Sequence, residues 1–494
     1  MNSKARYDVI VVGAGGSGLA AAIEAARAGA RVLVVEKADK VGGTTSWSVG
    51  SYTSSSTPHQ RRAGIVDDPE RHFEDMGKFN ARAGFPDNLE LRRMLTQNAP
   101  DTFLWLTSLG VEFIGPNPEP PHRVPRMHNV IPNSAAYAYF LARECARLGV
   151  TILCDRELVD LFEDSRRAKG VKVRSRDGKE TEFLGELGTV LATGDFAANT
   201  EVKRRFFGEE VVNAAAVNPL ATGEGITIAE AHGATILNGQ HANAPRMRFV
   251  PSPPKWINQI PPARPISKLI RFCWDWVPQP IMRPFLMQFL TTALGPEPTL
   301  FTCGAVLVGT DASLVPVDPA NIALHLPRQP DNKGFIVFDS ETAEKLERWP
   351  NFVSTAPGIA YAYLRDYRRA RKDIYHRAPT IDRLAQSIGI DPVRLRTSLS
   401  AENERRAREH ADVQPVAKAP FYALGPVRGY VTITEGGLAV TERLQVLGPG
   451  GRPMQGLYAA GSTGQGGMLL EGHGHHIAWA FVSGRIAGRN VLQG

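Results

Sequence analysis

The sequence has 494 residues, four cysteines and a formal net charge of +7. A single hydrophobic core stops growing at roughly 250–300 residues, so this length predicts more than one domain. The apolar share of 43% and the charged share of 22% are typical of a soluble globular protein. Basic and acidic residues are mixed, as at 365–373 and 402–410, which indicates solvated helix faces and no nucleic-acid partner.

The cysteines, Cys145, Cys154, Cys273 and Cys303, include no C-x-x-C pair. Their spacing predicts reduced, partly buried thiols and no zinc, iron–sulfur or disulfide centre. The chain enters an apolar strand by Tyr7, which leaves no room for a signal peptide, so we expect a cytoplasmic protein.

The first predicted elements form a dinucleotide-binding pattern. An apolar run at 9–12, a glycine turn and an apolar run at 19–23 give the order strand, turn, helix that a pyrophosphate needs. Glu36 ends the next apolar run, 32–35, where a carboxylate can accept hydrogen bonds from ribose hydroxyls. The residues predicted to bind the dinucleotide here are Gly13, Gly15, Gly16, Ser17, Gly18, Glu36 and Lys37.

The segment 42–50 follows directly and indicates which dinucleotide is bound. NAD domains usually continue into another helix, whereas flavoproteins commonly run backbone N–H groups and hydroxyls along the pyrophosphate and isoalloxazine at this point. The residues predicted to do so are Gly42, Gly43, Thr44, Thr45, Ser46 and Ser48.

The middle of the chain alternates helical and strand patterns. Helices are predicted at 88–109, 133–148 and 222–233, strands at 151–161 and 189–193, and a hairpin around Asp177-Gly178.

A change of composition near Met247 marks a second domain. Residues 250–300 are rich in aromatic residues and methionine, but prolines interrupt the apolar runs, so no membrane-spanning helix is predicted. We expect this segment to form an apolar lid over the substrate, with domain core and a peripheral membrane contact as the alternatives. Helical segments at 360–377 and 381–409 complete the domain.

The last part of the chain returns to short strands. They are predicted at 430–433, 436–440, 444–446 and 457–460, followed by a final helix at 477–491. The amino terminus of that helix presents unpaired backbone N–H groups and a positive dipole end, which suits the negative charge of a reduced flavin.

The motifs at 190–199, 222–226 and 456–461, with the glycine turn, resemble the fumarate reductase and 3-ketosteroid dehydrogenase superfamily of FAD enzymes. The resemblance implies an α/β fold in which a Rossmann-like FAD-binding domain (1–245 and 415–494) is interrupted by an α+β capping domain (246–414). It adds Leu158 or Val159 near the adenine, with ordinary sheet packing of this strand as the alternative, and Ala192, Thr193, Gly194 and Gly461 to the FAD site. His476 and Ile477 would bind the flavin edge through their backbone. Residues 44–48 offer no histidine for a covalent flavin link, so we expect non-covalent FAD.

Within this superfamily the chain resembles the ketosteroid branch more closely. Fumarate reductases carry an arginine before the final glycine turn, where this chain has Glu471, and their arginine-acid motif has no match at 306–326. A dicarboxylate would meet like charge at Glu471. The ketosteroid enzymes share the Gly-x-Gly turn, which assigns Gly474 N–H to the substrate ketone, although Leu470 stands where they have a tyrosine.

The predicted reaction is the introduction of a C=C bond α,β to a ketone in an apolar, cyclic substrate. It needs a donor to the carbonyl, a base for the α-proton and a flavin over the β-hydrogen. Tyr430 is the first choice for the base, followed by His473, Tyr137 and Tyr361.

Three other interpretations of these residues are a metal site, the reverse reaction and a non-catalytic role. A metal on the three histidines of 473–476 is disfavoured, because they alternate with glycines in a sharp turn. The reverse activity, reduction of an activated alkene, shares every motif, and a non-catalytic flavin-binding protein is a third class. No second G-x-G-x-x-G motif is present for NAD(P)H, so a quinone, oxygen or another protein is expected as the electron acceptor.

Overall fold

The computed structural model describes residues 5–81, 83–164, 167–242, 245–250, 260–356, 360–409 and 413–493. Its strands are β1 (Ala5–Val12), β2 (Val32–Val35), β3 (Ser51–Thr53), β4 (Glu112–Asn117), β5 (Met127–Ile131), β6 (Thr151–Leu153), β7 (Arg156–Asp164), β8 (Arg167–Ser175), β9 (Glu180–Leu191), β10 (Ala215–Ala216), β11 (Ile236–Leu237), β12 (Arg246–Phe249), β13 (Val306–Gly309), β14 (Lys333–Phe338), β15 (Ser354–Ala356), β16 (Ala360–Ala362), β17 (Tyr375–Ala378), β18 (Phe421–Val431), β19 (Gly437–Leu438), β20 (Gln445–Leu447) and β21 (Pro453–Ala459).

The helices cover both ends of the chain and the region between them. They are α1 (Gly16–Arg27), α2 (Gly43–Trp47), α3 (Pro58–Arg62), α4 (Pro69–Asn80), α5 (Leu89–Leu109), α6 (Ala135–Arg147), α7 (Thr200–Phe207), α8 (Glu209–Val212), α9 (Glu224–Ala231), α10 (Arg264–Trp276), α11 (Gln279–Ala293), α12 (Thr299–Thr302), α13 (Ser340–Lys345), α14 (Leu364–Ala370), α15 (Ile381–Ser387), α16 (Pro392–Glu409) and α17 (His475–Asn490).

The first sheet brings the two ends of the sequence together. Its strand order is β20-β21-β8-β9-β1-β2-β6, with β7 paired to β8, and β1 is parallel to both β2 and β9. Residues 9–12 of β1 and the whole of β2 are unbroken apolar runs because parallel strands are covered on both faces, and Val9, Ile10 and Val11 are fully buried. The predicted α/β fold class is thereby confirmed.

Helices α1 and α17 cross at glycines. A Cβ atom on Gly484 would come within 2.3 Å of the Ser17 backbone oxygen, and one on Gly488 would come within 2.2 Å of the Ala21 backbone oxygen. The two backbones therefore touch, which fixes the start of the C-terminal helix against the helix of the glycine turn.

A second sheet belongs to the middle of the chain. Its order is β10-β18-β14-β13, with β12 and β17 also paired to β18. The strand β18 lies beyond the boundary predicted at 414, and the exact domain limits stay a prediction. This sheet has its own apolar core, which includes Leu307, Ile336, Phe338 and Leu424.

Three predicted elements differ from the structure. The strand predicted at 151–161 is divided into β6 and β7, because Asp155 adopts a positive φ of 54°. The helix predicted at 360–377 was wrong in part: only α14 is helical, while β17 pairs antiparallel with β18, so tertiary pairing overrides the local helical pattern. Pro284, predicted to interrupt an apolar segment, lies inside α11.

Across the described residues, we find no helix with the length and apolar character needed to cross a bilayer.

Candidate FAD site and the start of the C-terminal helix

A cavity of about 290 Å³ opens where β1, β2 and β9 end, at the carboxyl edge of the first sheet. Ligands of open α/β sheets bind at such an edge. Most of the predicted FAD-binding residues line it. They are Gly13, Gly15, Gly16, Ser17, Glu36, Lys37, Gly43, Thr44, Thr45, Ser46, Ala192, Thr193, Gly194 and Gly461.

The glycines of this cavity leave the space that a pyrophosphate requires. A Cβ atom on Gly15 would meet only the Gly43 Cα, at 3.9 Å, and one on Gly194 would meet nothing within 4 Å. Protein packing therefore does not require glycine at Gly15, whose open face leaves room for a ligand over the backbone, whereas Gly194 has a positive φ of 84° that favours glycine in any case. The residues present fit the phosphates of FAD.

Glu36 is held at the wall of the cavity by two backbone N–H groups. Ala14 N donates to one carboxylate oxygen at 2.7 Å and Ala38 N donates to the other at 2.9 Å. A carboxylate with both oxygens anchored still has lone pairs for ribose hydroxyls. Its neighbour Lys37 forms an ion pair with Glu224 at 2.8 Å, so the charge of this lysine is already balanced.

Six of the predicted cofactor residues lie outside the cavity lining, and two of them, His476 and Ile477, belong to the start of α17. A Cβ on Gly18 would overlap the Gly13 oxygen at 1.8 Å, so Gly18 serves the packing of α1 on β1. Gly42 N donates to Ala14 O at 2.9 Å and Ser48 Oγ donates to Thr45 O at 2.7 Å, which are contacts within the segment. Of the two strand residues predicted near the adenine, Leu158 lines the cavity and Val159 does not, and β7 has an irregular register between positions 158 and 160.

Several lining residues carried no motif in the sequence. Asn218 Nδ2 donates to Thr44 Oγ1 at 2.9 Å, which links the loop after β10 to the segment 42–50. Arg156, Leu220 and Ser462 also line the cavity. They come from separate elements that only the tertiary fold joins, so local patterns could not identify them.

The amino terminus of α17 is built on a left-handed glycine. Gly474 is the N-cap, with φ 85°, and a Cβ there would lie 2.6 Å from Thr53 Oγ1. Thr53 Oγ1 also donates to His473 O at 2.6 Å, which holds the turn against β3. His476 and Ile477 therefore lie in the first turn, where unpaired N–H groups and the helix dipole favour negative charge.

The three histidines before and within this turn have three different partners. His473 pairs with buried Glu119, which raises the pKa of His473. His475 is buried beside His72, with their Nε2 atoms 3.2 Å apart, and burial lowers the pKa of His475 to about 4. His476 Nε2 lies 2.9 Å from Glu435. These side chains do not converge on one point.

Carboxylates surround the start of α17. Burial opposes ionisation of the Glu435–His476 pair, but their mutual attraction holds the pKa of His476 above and that of Glu435 below the usual values. Glu471 pairs with His241 at 3.0 Å. Desolvation raises the pKa of buried Asp195 to about 6. The sequence pattern had singled out only Glu471.

Tyr430 lies on β18 in the second sheet and is 9% exposed. It stands opposite Arg246 of β12 in the antiparallel pair of β12 and β18. Arg248, two residues along β12, lies on the same face. Burial lowers its pKa, while Tyr430 opposes that shift. Arg248 had no recognisable motif.

Tyr137 and Tyr361 are the other two tyrosines that the sequence offered as the base. Tyr137 is fully buried, donates to Gly50 O at 2.9 Å, and has a pKa raised well above its usual value by burial. Tyr361 packs on Trp349 and Phe352 at the surface. Tyr137 also packs on Phe481 of α17, with ring centroids 4.9 Å apart, and a role of either tyrosine as the base stays a prediction.

Curated relatives cover nearly all of the chain at low identity. A NADH:fumarate oxidoreductase of Klebsiella pneumoniae (strain 342) is 25% identical over 510 residues, which cover 99% of this chain and 48% of that protein. A vinyl phenol reductase of Lactiplantibacillus plantarum is 25% identical over 517 residues, which cover 99% of this chain and 96% of that protein. This chain therefore spans about half the length of the Klebsiella relative.

Solved structures share the fold. An open conformation of a flavocytochrome c3 fumarate reductase matches 100% of this chain and 79% of its own, with a TM-score of 0.75 and 23% identity. A 3-ketosteroid delta1-dehydrogenase from Sterolibacterium denitrificans matches 99% of both chains, with a TM-score of 0.66 and 18% identity. At these identities the likeness concerns the fold alone.

The family described as FAD binding domain matches residues 8–260 and 304–470, which is most of the chain. The cavity described above lies largely within the first of these stretches. This protein therefore belongs to the FAD binding domain family of flavoproteins, and FAD is its cofactor.

Proposed function

We propose that this flavoprotein is a dehydrogenase that introduces a C=C bond next to the ketone of an uncharged, apolar, cyclic substrate, steroid-like or cyclohexanone-like. The observation that carries the proposal is the carboxylate-rich surrounding of the α17 start. Glu119, Glu435 and Glu471 each pair with a histidine there. Each of these histidines is already held by a carboxylate and is not free to bind a substrate carboxylate, whereas a neutral carbonyl needs only an N–H donor.

The residues have distinct roles in this proposal. FAD supplies the two-electron redox chemistry when it is bound. Gly474 N–H, at the cap of α17, donates to the substrate carbonyl and so makes the α-proton more acidic. Tyr430 takes that proton. His473, which pairs with Glu119, is the second candidate for this base. Arg248 offsets negative charge on Tyr430 whenever the phenol is deprotonated.

The reverse reaction is the second candidate. Vinyl phenol reductase and urocanate reductase are among the relatives that match almost the whole chain. An alkene reductase would use the same residues, with Tyr430 donating its proton to the α-carbon. The electron partner, a quinone, oxygen or another protein, decides between the two directions.

The substrate class is tested with a matched pair of cyclic ketones that differ by one ring carboxylate. We expect the wild-type protein to turn over the neutral ketone at least about tenfold faster, since like charge near Glu471 penalises its carboxylated twin. Glu471→Gln should lower the ratio of the turnover rate with the neutral ketone to that with the carboxylated ketone. Glu442→Gln, at an exposed turn, should leave this ratio unchanged. Equal turnover of both ketones by wild type would refute the charge argument, and no turnover of any substrate would favour a non-catalytic flavin protein.

A further inference from the structure

Helices α10 and α11 present large apolar side chains to solvent. On α10, Leu269, Phe272 and Trp276 are 62%, 60% and 75% exposed, and on α11, Ile281 and Phe285 are 61% and 49% exposed. Single exposed side chains of this size are ordinary, whereas a group within one short stretch marks a surface that binds an apolar phase.

The inner side of α10 combines polar and apolar side chains. Ser267, fully buried, donates to Ile131 O at 3.4 Å, Arg271 forms an ion pair with Glu112 at 3.2 Å, and Ile270 and Trp274 are half-buried. A helix that folds against a core in water usually buries its apolar side chains and exposes its charged ones. The outer face of α10 departs from this pattern, because the three exposed apolar side chains named above lie on it.

The exposed apolar stripe of α10 has a cationic edge. With 100° between successive residues, Leu269, Phe272 and Trp276 span a sector of about 60°. Arg264 and Lys268 follow on one side of it, and both are exposed. An apolar stripe beside basic residues is the pattern of a helix that lies in the surface of an anionic membrane.

Further cations adjoin this edge. Arg61 and Arg62 of α3 line a common surface pocket with Arg271 and Glu112. Together with the two basic residues of the α10 edge they make five cations against two carboxylates, Glu112 and Asp275. The excess positive charge complements anionic lipid headgroups, whereas a second copy of the chain would bring the same cations against it.

An aromatic cluster lies beside α11. Arg283 Nη2 donates to Tyr361 O at 3.0 Å, and the Tyr361 ring lies 5.0 Å from Trp349 and 4.9 Å from Phe352. Trp349 is 63% exposed. Tryptophan and tyrosine favour the boundary between lipid and water, because each ring has an apolar body and a polar tip.

We propose that the outer face of α10 and α11 docks this protein on an anionic lipid bilayer as a peripheral membrane surface. The apolar side chains of the stripe enter the headgroup boundary, and the cations of α3 and α10 bind the lipid phosphates and carboxylates. The proposal does not depend on the reaction at the flavin.

Vesicle co-sedimentation of the full-length FAD-loaded protein tests it. Vesicles of phosphatidylcholine with about 30% phosphatidylserine should bind the wild type at least about tenfold better than phosphatidylcholine alone, and added salt should weaken binding. The double variant Phe272→Ser/Trp276→Ser and the variant Lys268→Glu should each lose about tenfold in partitioning with an unchanged flavin spectrum. The matched controls are Val66→Ser/Val393→Ser, which removes exposed apolar side chains elsewhere, and Lys179→Glu, at an exposed hairpin turn.

Two results would overturn the proposal. The first is a failure of the vesicle test: the wild-type protein stays in the supernatant with anionic vesicles, or the control variants lose as much binding as the α10 variants. The other is a dimer in sedimentation velocity that Phe272→Ser/Trp276→Ser dissociates without any vesicle binding by the wild type, because a second copy would then cover this face.

Discussion

At the scale of single residues, the proposed reaction depends most on Tyr430. Tyr430→Phe removes one hydroxyl from a buried strand residue and should leave the flavin spectrum unchanged. We expect the rate of flavin reduction by a ketone substrate to fall by roughly a hundredfold or more, the usual contribution of a positioned general base. Stopped-flow absorbance under anaerobic conditions measures it.

The matched control is Tyr422→Phe in the same strand, whose ring stacks on Phe338 in the core of the second sheet. That variant should keep the wild-type rate. An unchanged rate in Tyr430→Phe would transfer the role to His473, which the Glu119 pair holds near the same helix end.

Residues of the flavin cavity were predictable where they belong to one local sequence motif. The strand, glycine turn, helix and acid lie within a short stretch, so the sequence alone located Gly13, Gly15 and Glu36 at the cavity. Arg248 and Asn218 were not predictable, since each reaches its site through pairing with a distant strand or loop. Glu435 follows the predicted strand around Tyr430, but only the fold shows that it faces His476.

At the scale of elements, the contact between α1 and α17 should control both stability and flavin binding. Gly484→Ala places a Cβ atom 2.3 Å from the Ser17 oxygen, so the helices must separate. Because overpacking typically costs about 1–3 kcal/mol, we expect a lower melting temperature together with weaker FAD retention, as both helix starts move. Thermal melts and reconstitution of the apoprotein with FAD measure the two effects.

Gly77→Ala is the control for this prediction. Gly77 lies in α4, where an added Cβ would meet only the movable end of Arg92 at 3.2 Å. It should be neutral or slightly stabilising, since alanine restricts the unfolded chain. Full FAD affinity and wild-type stability in Gly484→Ala would show that the helix contact is dispensable.

Local sequence patterns predict elements that depend on nearby residues and miss elements that depend on distant ones. The helix at α5 and the β8–β9 hairpin follow from periodicity and a local Asp-Gly turn, and both are present. The segment 360–377 has a helical pattern over its whole length, yet β17 takes its conformation from β18. A strand that depends on a partner far along the chain leaves little trace in its own residues.

At the scale of the whole molecule, buried neutral histidines should make stability depend on pH. Burial lowers the pKa of His59 to about 4, His128 to about 3 and His122 to about 2. Unfolded histidines bind protons near pH 6.5, so the unfolded state holds more protons between pH 6.5 and about 4, and stability falls as the pH falls. Each such histidine contributes a loss of about 1.5 kcal/mol between pH 6.5 and 5.

Buried Asp195 acts in the opposite direction, because a pKa raised to about 6 lets the folded state take up a proton first. His473 and His476, whose pKa values are also raised, act in the same direction as Asp195, but these three groups face six histidines of lowered pKa, so the net effect should still be destabilising. Urea unfolding at pH 7 and pH 5 checks this, and His59→Gln, whose amide can still donate to Phe113 O, should show a shallower pH dependence. Equal stability at the two pH values would contradict the buried, neutral state of these histidines.

In the proposed function, the FAD protein oxidises a neutral cyclic ketone and does not use a dicarboxylate. The most direct measurement is anaerobic mixing of the yellow protein with a panel of cyclic ketones, followed by mixing of the dithionite-reduced protein with fumarate, with the flavin absorbance recorded in both. We predict bleaching by at least one ketone and only slow reoxidation by fumarate. Rapid reoxidation by fumarate, with no bleaching by any ketone, would contradict the account, because a dicarboxylate would then bind productively among Glu119, Glu435 and Glu471.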